Sequence, residues 1–142
     1  MKLVRHLLET KPTEIFSVTK DISVFEALKV MMDKNISALL VMEYSNLQGI
    51  FTERDYARKI ILQGKSSKET AISEVMTSNL LTITKSDSID HCMKLMTEKH
   101  IRHLPVLDAG VVIGLVSIGD VVKYVIQDQK LTIEQLQSYI TS

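Results

Sequence analysis

With 142 residues, 45% hydrophobic and 24% charged, the chain has an ordinary globular composition and the length to bury roughly 68% of its unfolded surface. Seventeen basic residues balance seventeen acidic ones, so nothing drives it electrostatically toward nucleic acid or an anionic membrane. No apolar run reaches the roughly 18 residues that span a bilayer. A single cysteine, Cys92, excludes an internal disulfide; with an N-terminus lacking a signal-like apolar block, it gives a cytoplasmic expectation.

Leu3 to Leu8 have the spacing of a short helix. Ile15-Phe16-Ser17-Val18 is a β-type run. Ser23 opens a helix with Glu26 three residues on, a capping-box pair. Val24, Ala27, Leu28 and Met31 give that helix one apolar face, and Asn35 is its stop. Ala38 to Met42 is a continuous apolar strand, Tyr44-Ser45-Asn46 a turn, and Leu47 to Phe51 the returning hairpin strand. A second helix is predicted over Glu53 to Leu62, with Tyr56, Ile60 and Ile61 apolar. Gln63 to Thr70 is polar and reads as a linker, followed by a short turn or helix at Ile72 to Met76.

The same plan then repeats. Leu81 to Thr84 is a strand, and Ile89, Cys92, Met93 and Met96 mark a helix face. Leu104 to Leu107 and Val111 to Val116 flank a turn at Asp108-Ala109-Gly110, and Val121, Val122, Tyr124 and Val125 lie on a closing helix. Beyond it, Thr132 and Gln135 form another capping-box pattern ahead of a C-terminal helix carrying Ile133, Leu136, Tyr139 and Ile140. The register is gap-free, with an offset of 65 residues: Thr19-Lys20 lands on Thr84-Lys85, Ser23 on Ser88, Ile36 on Ile101, Val41 on Val106 and Gly49 on Gly114. This is a tandem duplication. One repeat alone would bury only about 60% of its surface. The expected partition is residues 1–66 for the first repeat with its N-terminal segment, 67–128 for the second, and 129–142 for a helical tail.

Each repeat ends its hairpin in a glycine followed by a hydroxyl and an aspartate: Gly49-Ile50-Phe51-Thr52-Glu53-Arg54-Asp55 and Gly114-Leu115-Val116-Ser117-Ile118-Gly119-Asp120. A hydroxyl three residues before a carboxylate at a helix start is a capping pattern. It also suits ligand binding, and the two roles coexist. Both copies keep Asp, whereas a capping box favours the longer Glu or Gln. His100 and His103 straddle a helix end and a strand start and lack further ligands for a metal. Cys92, in register with Ala27, reads as a buried, inert thiol. No nucleophile elbow, Walker loop or dinucleotide glycine fingerprint is present, so no enzymatic activity is expected.

The duplicated unit, its Gly-apolar-apolar-Thr/Ser-x-x-Asp ending, and Ile101-Arg102-His103-Leu104-Pro105-Val106 together resemble the CBS domain, over about Ile15 to Tyr124. The resemblance implies an α+β fold of two β-α-β-β-α repeats packed sheet to sheet with pseudo-two-fold symmetry, and a homodimer. It implies a non-catalytic sensor that holds an adenine nucleotide (AMP, ADP or ATP) in a cleft between repeats and regulates a protein not visible in this chain. NAD(H), S-adenosylmethionine, or a ligand-free interaction module are the alternatives.

On that resemblance, Asp55 or Asp120 grips the ribose hydroxyls through charge-assisted bonds. Thr52, Ser117 and the first helical N–H groups, around Gly119, face a phosphate. Arg102 and His103 meet phosphate in the second copy. Ser37 and Ala38 lack charge at the equivalent places, where Arg54 and Lys20 compensate. Ile36 and Ile101 pack on adenine, and backbone groups at Ala38 or His103 read its edge.

Overall fold

The computed structural model describes residues 2–12 and 14–141. In chain order the elements are α1 (Val4–Leu8), β1 (Ser17–Val18), α2 (Val24–Lys34), β2 (Ala38–Glu43), β3 (Asn46–Thr52) and α3 (Glu53–Tyr56). A π-helical turn (Ala57–Ile61) and a 3-10 turn (Ile72–Glu74) follow, then β4 (Ile83–Thr84), α4 (Ile89–Lys99), β5 (His103–Asp108), β6 (Val111–Ser117) and α5 (Ile118–Thr141). The 65-residue offset survives folding: α2 maps onto α4, β2 onto β5 and β3 onto β6 at both ends. Two three-stranded sheets result, β1-β2-β3 and β4-β5-β6. In each, the short first strand lies parallel to the second, Ser17 beside Leu40 and Ile83 beside Val106. A parallel neighbour requires a crossover, and α2 and α4 supply it.

Local chemistry sets the boundaries. Ser23 and Ser88 side chains accept the N–H groups of Glu26 and His91 at 3.1 and 3.0 Å, satisfying orphan donors of α2 and α4. Asn35 and His100 close these helices in the left-handed region, with φ of 54° and 55°. The hairpin turn of the second repeat places Ala109 and Gly110 at φ of 50° and 82°, as a primed two-residue turn requires.

The chain divides into two compact units, and the division corrects the partition expected from sequence. One unit comprises residues 14–81 and 110–112; the other comprises residues 1–13, 82–109 and 113–142. The N-terminal segment therefore belongs with the second repeat, and residues 67–81 belong with the first. Orphan backbone donors and unburied apolar pairs explain this. In the first-repeat unit, Val24 and Phe25 N–H donate to the carbonyls of Thr70 and Ser67, and Ile72 N–H to that of Ile22. Ile72 and Val75 are buried with Val24, Ala27, Met31, Leu39, Val41, Phe51 and Ile60. The polar stretch read as a linker thus caps α2. In the second-repeat unit, Val4 N–H donates to Asp87 and Ile89 N–H to Lys2, and Val4 and Leu7 join the core of Ile83, Ile89, Cys92, Met96, Leu104, Val106, Val116 and Val121. Burial pushes the Cys92 thiol up to about 11, helped by nearby Asp87, so it is inert at neutral pH.

Two helices differ from expectation. The helix after β3 widens beyond Tyr56, where Leu62 N–H reaches back five residues to Ala57; Ile60 is buried, but Ile61 is 57% exposed. The separate C-terminal helix does not form. α5 runs unbroken, because no Gly or Pro interrupts residues 120–141. The Thr132 hydroxyl bonds back to the Asp128 carbonyl at 3.0 Å instead of capping a new helix.

The two signature glycines lie under the leader segments. A Cβ on Gly49 would meet the Thr77 carbonyl oxygen and the Met76 sulfur at 2.8 Å, while one on Gly114 would meet only the tip of Leu8 at 2.9 Å. Backbone cannot yield as a leucine tip can. Gly49→Ala should therefore lose roughly 1–3 kcal/mol in urea denaturation, and Gly114→Ala less than half as much; equal losses would contradict this packing.

Candidate functional site

Each repeat turns from its last strand into a helix at the hydroxyl–aspartate motif, and there the two side chains exchange hydrogen bonds. In the first-repeat unit, Asp55 N–H donates to Thr52 Oγ1 at 3.2 Å, and Thr52 N–H donates to Asp55 Oδ2 at 3.0 Å. The Thr52 hydroxyl lies 3.1 Å from the same oxygen. The other oxygen, Oδ1, accepts from the Thr77 hydroxyl and from Lys59 Nζ, both at 3.1 Å. Both carboxylate oxygens are thus engaged, and Asp55 is only 7% exposed. This is a buried helix cap with its charge paired internally.

The second-repeat unit builds the same corner differently. Ser117 N–H donates to Asp120 Oδ2 at 2.9 Å, and Asp120 N–H donates to Ser117 Oγ at 3.1 Å. Lys11 Nζ lies 2.7 Å from Oδ2 and 2.7 Å from the Leu115 carbonyl. The two contacts to the carboxylate, from Ser117 N–H and Lys11, fall on Oδ2, and the Asp120 side chain keeps 29% of its surface open, against 9% for Asp55. Burial pushes the Asp120 carboxyl up, but the Lys11 ammonium and the Ser117 donors outweigh it and hold it below the usual range. His103 is pushed down, first by burial and then by Lys11 and Arg102, against the opposing pull of Asp120.

The remaining predicted site residues sort by place. Arg102 is exposed, and its carbonyl accepts the Ile118 N–H at 2.9 Å, just as Ser37 accepts from Glu53 at 3.2 Å. Those first helical N–H groups, expected to face phosphate, are taken by protein acceptors, as are those of Asp55 and Asp120. His103 is half-buried at the start of β5. Ala38 is buried and pairs with Thr52 in the β2–β3 register. Arg54 and Gly119 are exposed on the first helical turns. Lys20 sits 3.7 Å from Glu43, at the surface, repeating the Lys85–Asp108 pair at 3.0 Å. Ile36 and Ile101 pack on the edges of their respective cores, and Pro105 is buried within β5. Sequence reasoning missed Lys59, Thr77 and Lys11. Lys59 was readable as an i, i+4 partner of Asp55; the other two arrive from segments that precede a repeat, and no local pattern marks them.

The depressed Asp120 carboxyl fixes a sign. It adds stability above the unfolded aspartate value of about 3.9 and loses it as pH falls through the lower folded value. Asp120→Asn should therefore flatten the acid limb of the melting-temperature profile below about pH 4; an unchanged limb would show that the Lys11 pair contributes nothing.

Comparisons agree with this architecture. The family model described as the CBS domain matches twice, at residues 4–62 and 72–127. The CBS domain-containing protein CBSX3, mitochondrial, of Arabidopsis thaliana is 44% identical over 86% of this chain, which spans 62% of that protein's length. YhcV of Bacillus subtilis is 32% identical, with 79% of each chain covered. A putative signal-transduction protein with CBS domains from Burkholderia ambifaria superposes with a TM-score of 0.87 at 51% identity, covering 90% of this chain and 96% of that one. The CBS domain pair of protein MJ0100, solved in complex with 5′-methylthioadenosine and S-adenosyl-L-methionine, has a TM-score of 0.77 at 29% identity, covering 87% and 98%. No described helix is long and apolar enough to cross a membrane. With both repeats matched and the fold shared, the chain belongs to the CBS-domain family, as a tandem pair.

Proposed function

We propose that this chain is a non-catalytic regulatory module that binds an adenine nucleotide at the corner of its second repeat. The observation that carries the reading is the difference between two otherwise equivalent carboxylates. Asp55 has four internal contacts on two oxygens, whereas Asp120 is partly open and engaged through Oδ2. A sugar diol needs an exposed carboxylate lone pair, and only the second corner offers one. Lys11 supplies positive charge beside it, and Arg102 adds a second cation next to His103, which suits AMP, ADP or ATP. The adenosine-type ligands in MJ0100 support an adenosine-containing ligand and make S-adenosylmethionine the second reading. A single buried thiol fits a reducing compartment such as the cytoplasm.

Regulation requires that the ligand bind two states of the module, or of its complex with a second copy or a regulated partner, with different affinity. Millimolar AMP or ATP should raise the melting temperature, by about 2.7 kcal/mol of added stability at 100 times the dissociation constant. Asp120→Ala should weaken binding tenfold or more, by about 1.5–3 kcal/mol. Asp55→Ala should lower the melting temperature of the unliganded protein and leave affinity within about threefold, under 1 kcal/mol. No thermal shift with any adenine nucleotide, or loss of affinity in the Asp55 variant alone, would overturn the assignment.

A further inference from the structure

Lys11 occupies the carboxylate that the sugar is to grip, and it is held there firmly. Its two bonds, 2.7 Å to Asp120 Oδ2 and 2.7 Å to the Leu115 carbonyl, are short and charge-assisted. The ammonium and carboxylate side chains are 26% and 29% exposed, so the pair is less screened than a surface pair such as Lys2–Asp128, at 3.3 Å with 54% and 30% exposure. The chain leading to Lys11 is anchored too. Val4 and Leu7 are buried, and the Thr10 N–H and hydroxyl both bond to the Leu7 carbonyl, at 2.9 and 2.7 Å. The first repeat arranges its cation differently: Lys59, on the next turn of the same helix, bridges Asp55 Oδ1 at 3.1 Å and the Val75 carbonyl at 2.9 Å, and the incoming leader adds the Thr77 hydroxyl.

An ammonium on the ligand-gripping carboxylate has a chemical consequence. A ribose diol that bonds both carboxylate oxygens meets Oδ1 directly but competes with Nζ for the lone pairs of Oδ2. A neutral nucleoside that displaces Nζ leaves a partly buried cation without its counter-charge, which is costly. A phosphorylated nucleoside brings an anion for that cation to meet. A sulfonium ligand brings a like charge instead. His103 borders the same pair, since Lys11, Asp120 and Arg102 all act electrostatically on it. Lys11 carries the positive charge on the carboxylate itself.

We propose that Lys11 determines the ligand class of the second corner: it holds the Asp120 carboxylate in the unliganded chain and passes to the ligand's phosphate when ribose takes the carboxylate. The corner then admits phosphorylated adenosines and discriminates against neutral adenosine and cationic S-adenosylmethionine. This deepens the proposed function and rests on it.

The test is calorimetric titration of the full chain with ATP, adenosine and S-adenosylmethionine, in the unsubstituted protein, Lys11→Gln and Lys11→Arg. Gln keeps a donor for the Leu115 carbonyl without the charge, and Arg keeps the charge. The unsubstituted protein should prefer ATP over adenosine at least tenfold. Lys11→Gln should weaken ATP and tighten adenosine, so that the preference falls at least tenfold, whereas Lys11→Arg should retain it. ATP binding with the same preference in Lys11→Gln overturns the role of Lys11 and leaves the proposed function standing. Tighter adenosine or S-adenosylmethionine than ATP in the unsubstituted protein also overturns it. Absence of binding by AMP and ADP as well as ATP in the unsubstituted protein overturns both.

Discussion

The exchange of hydrogen bonds between a hydroxyl and a carboxylate three residues apart, at the end of β3 and again at the end of β6, is the constraint on which the rest depends. It stops a strand, starts a helix and fixes a negative charge at the turn. An aspartate is short enough that, once capped, its remaining lone pairs cannot wander. What arrives to meet them decides whether the corner is sealed or available. A carboxylate that receives two cationic or hydroxyl donors on its far oxygen becomes part of the core. One that receives a single ammonium on its capped oxygen remains chemically addressable.

The arriving partners come from the segments that precede each repeat, and their placement follows from backbone accounting. α2 and α4 begin with N–H groups that helix geometry leaves unpaired; carbonyls of Ser67, Thr70 and Lys2 take three of them. The apolar pairs Ile72/Val75 and Val4/Leu7 then find cores of the right size. Beyond those anchors the chain passes the signature glycines and ends beside the carboxylates, with Thr77 at one and Lys11 at the other. The two corners share one motif, and the leaders, together with Lys59 on the helix of the first repeat, make them unequal.

Much of this was legible in the residues. The constant offset, the capping serines, the αL stops at Asn35 and His100 and the buried strand at Ala38–Met42 are local signals, and local physics decides them. The carboxylates were legible as candidates for the same reason. Lys59 is a local part of their difference, four residues from Asp55; the rest could not be read, because Thr77 and Lys11 meet their carboxylates from 22 and 109 positions away. The uninterrupted α5 was misread for a related cause: a Thr-x-x-Gln pattern caps a helix only where the chain has already left one, and nothing between Val125 and Thr132 makes it leave. Lys20 pairs with Glu43 at the surface, a contact between segments that no local pattern marks.

The central claim is that one corner is structural and the other is a receptor. A crystal structure of the chain grown with ATP tests this most directly. The account predicts ribose hydroxyls within about 3 Å of Asp120, Lys11 displaced toward phosphate, and the Thr52, Lys59 and Thr77 contacts of Asp55 intact. Ribose bound to Asp55 with those contacts broken, or ATP bound away from Asp120 while Lys11 keeps its seat, would contradict it.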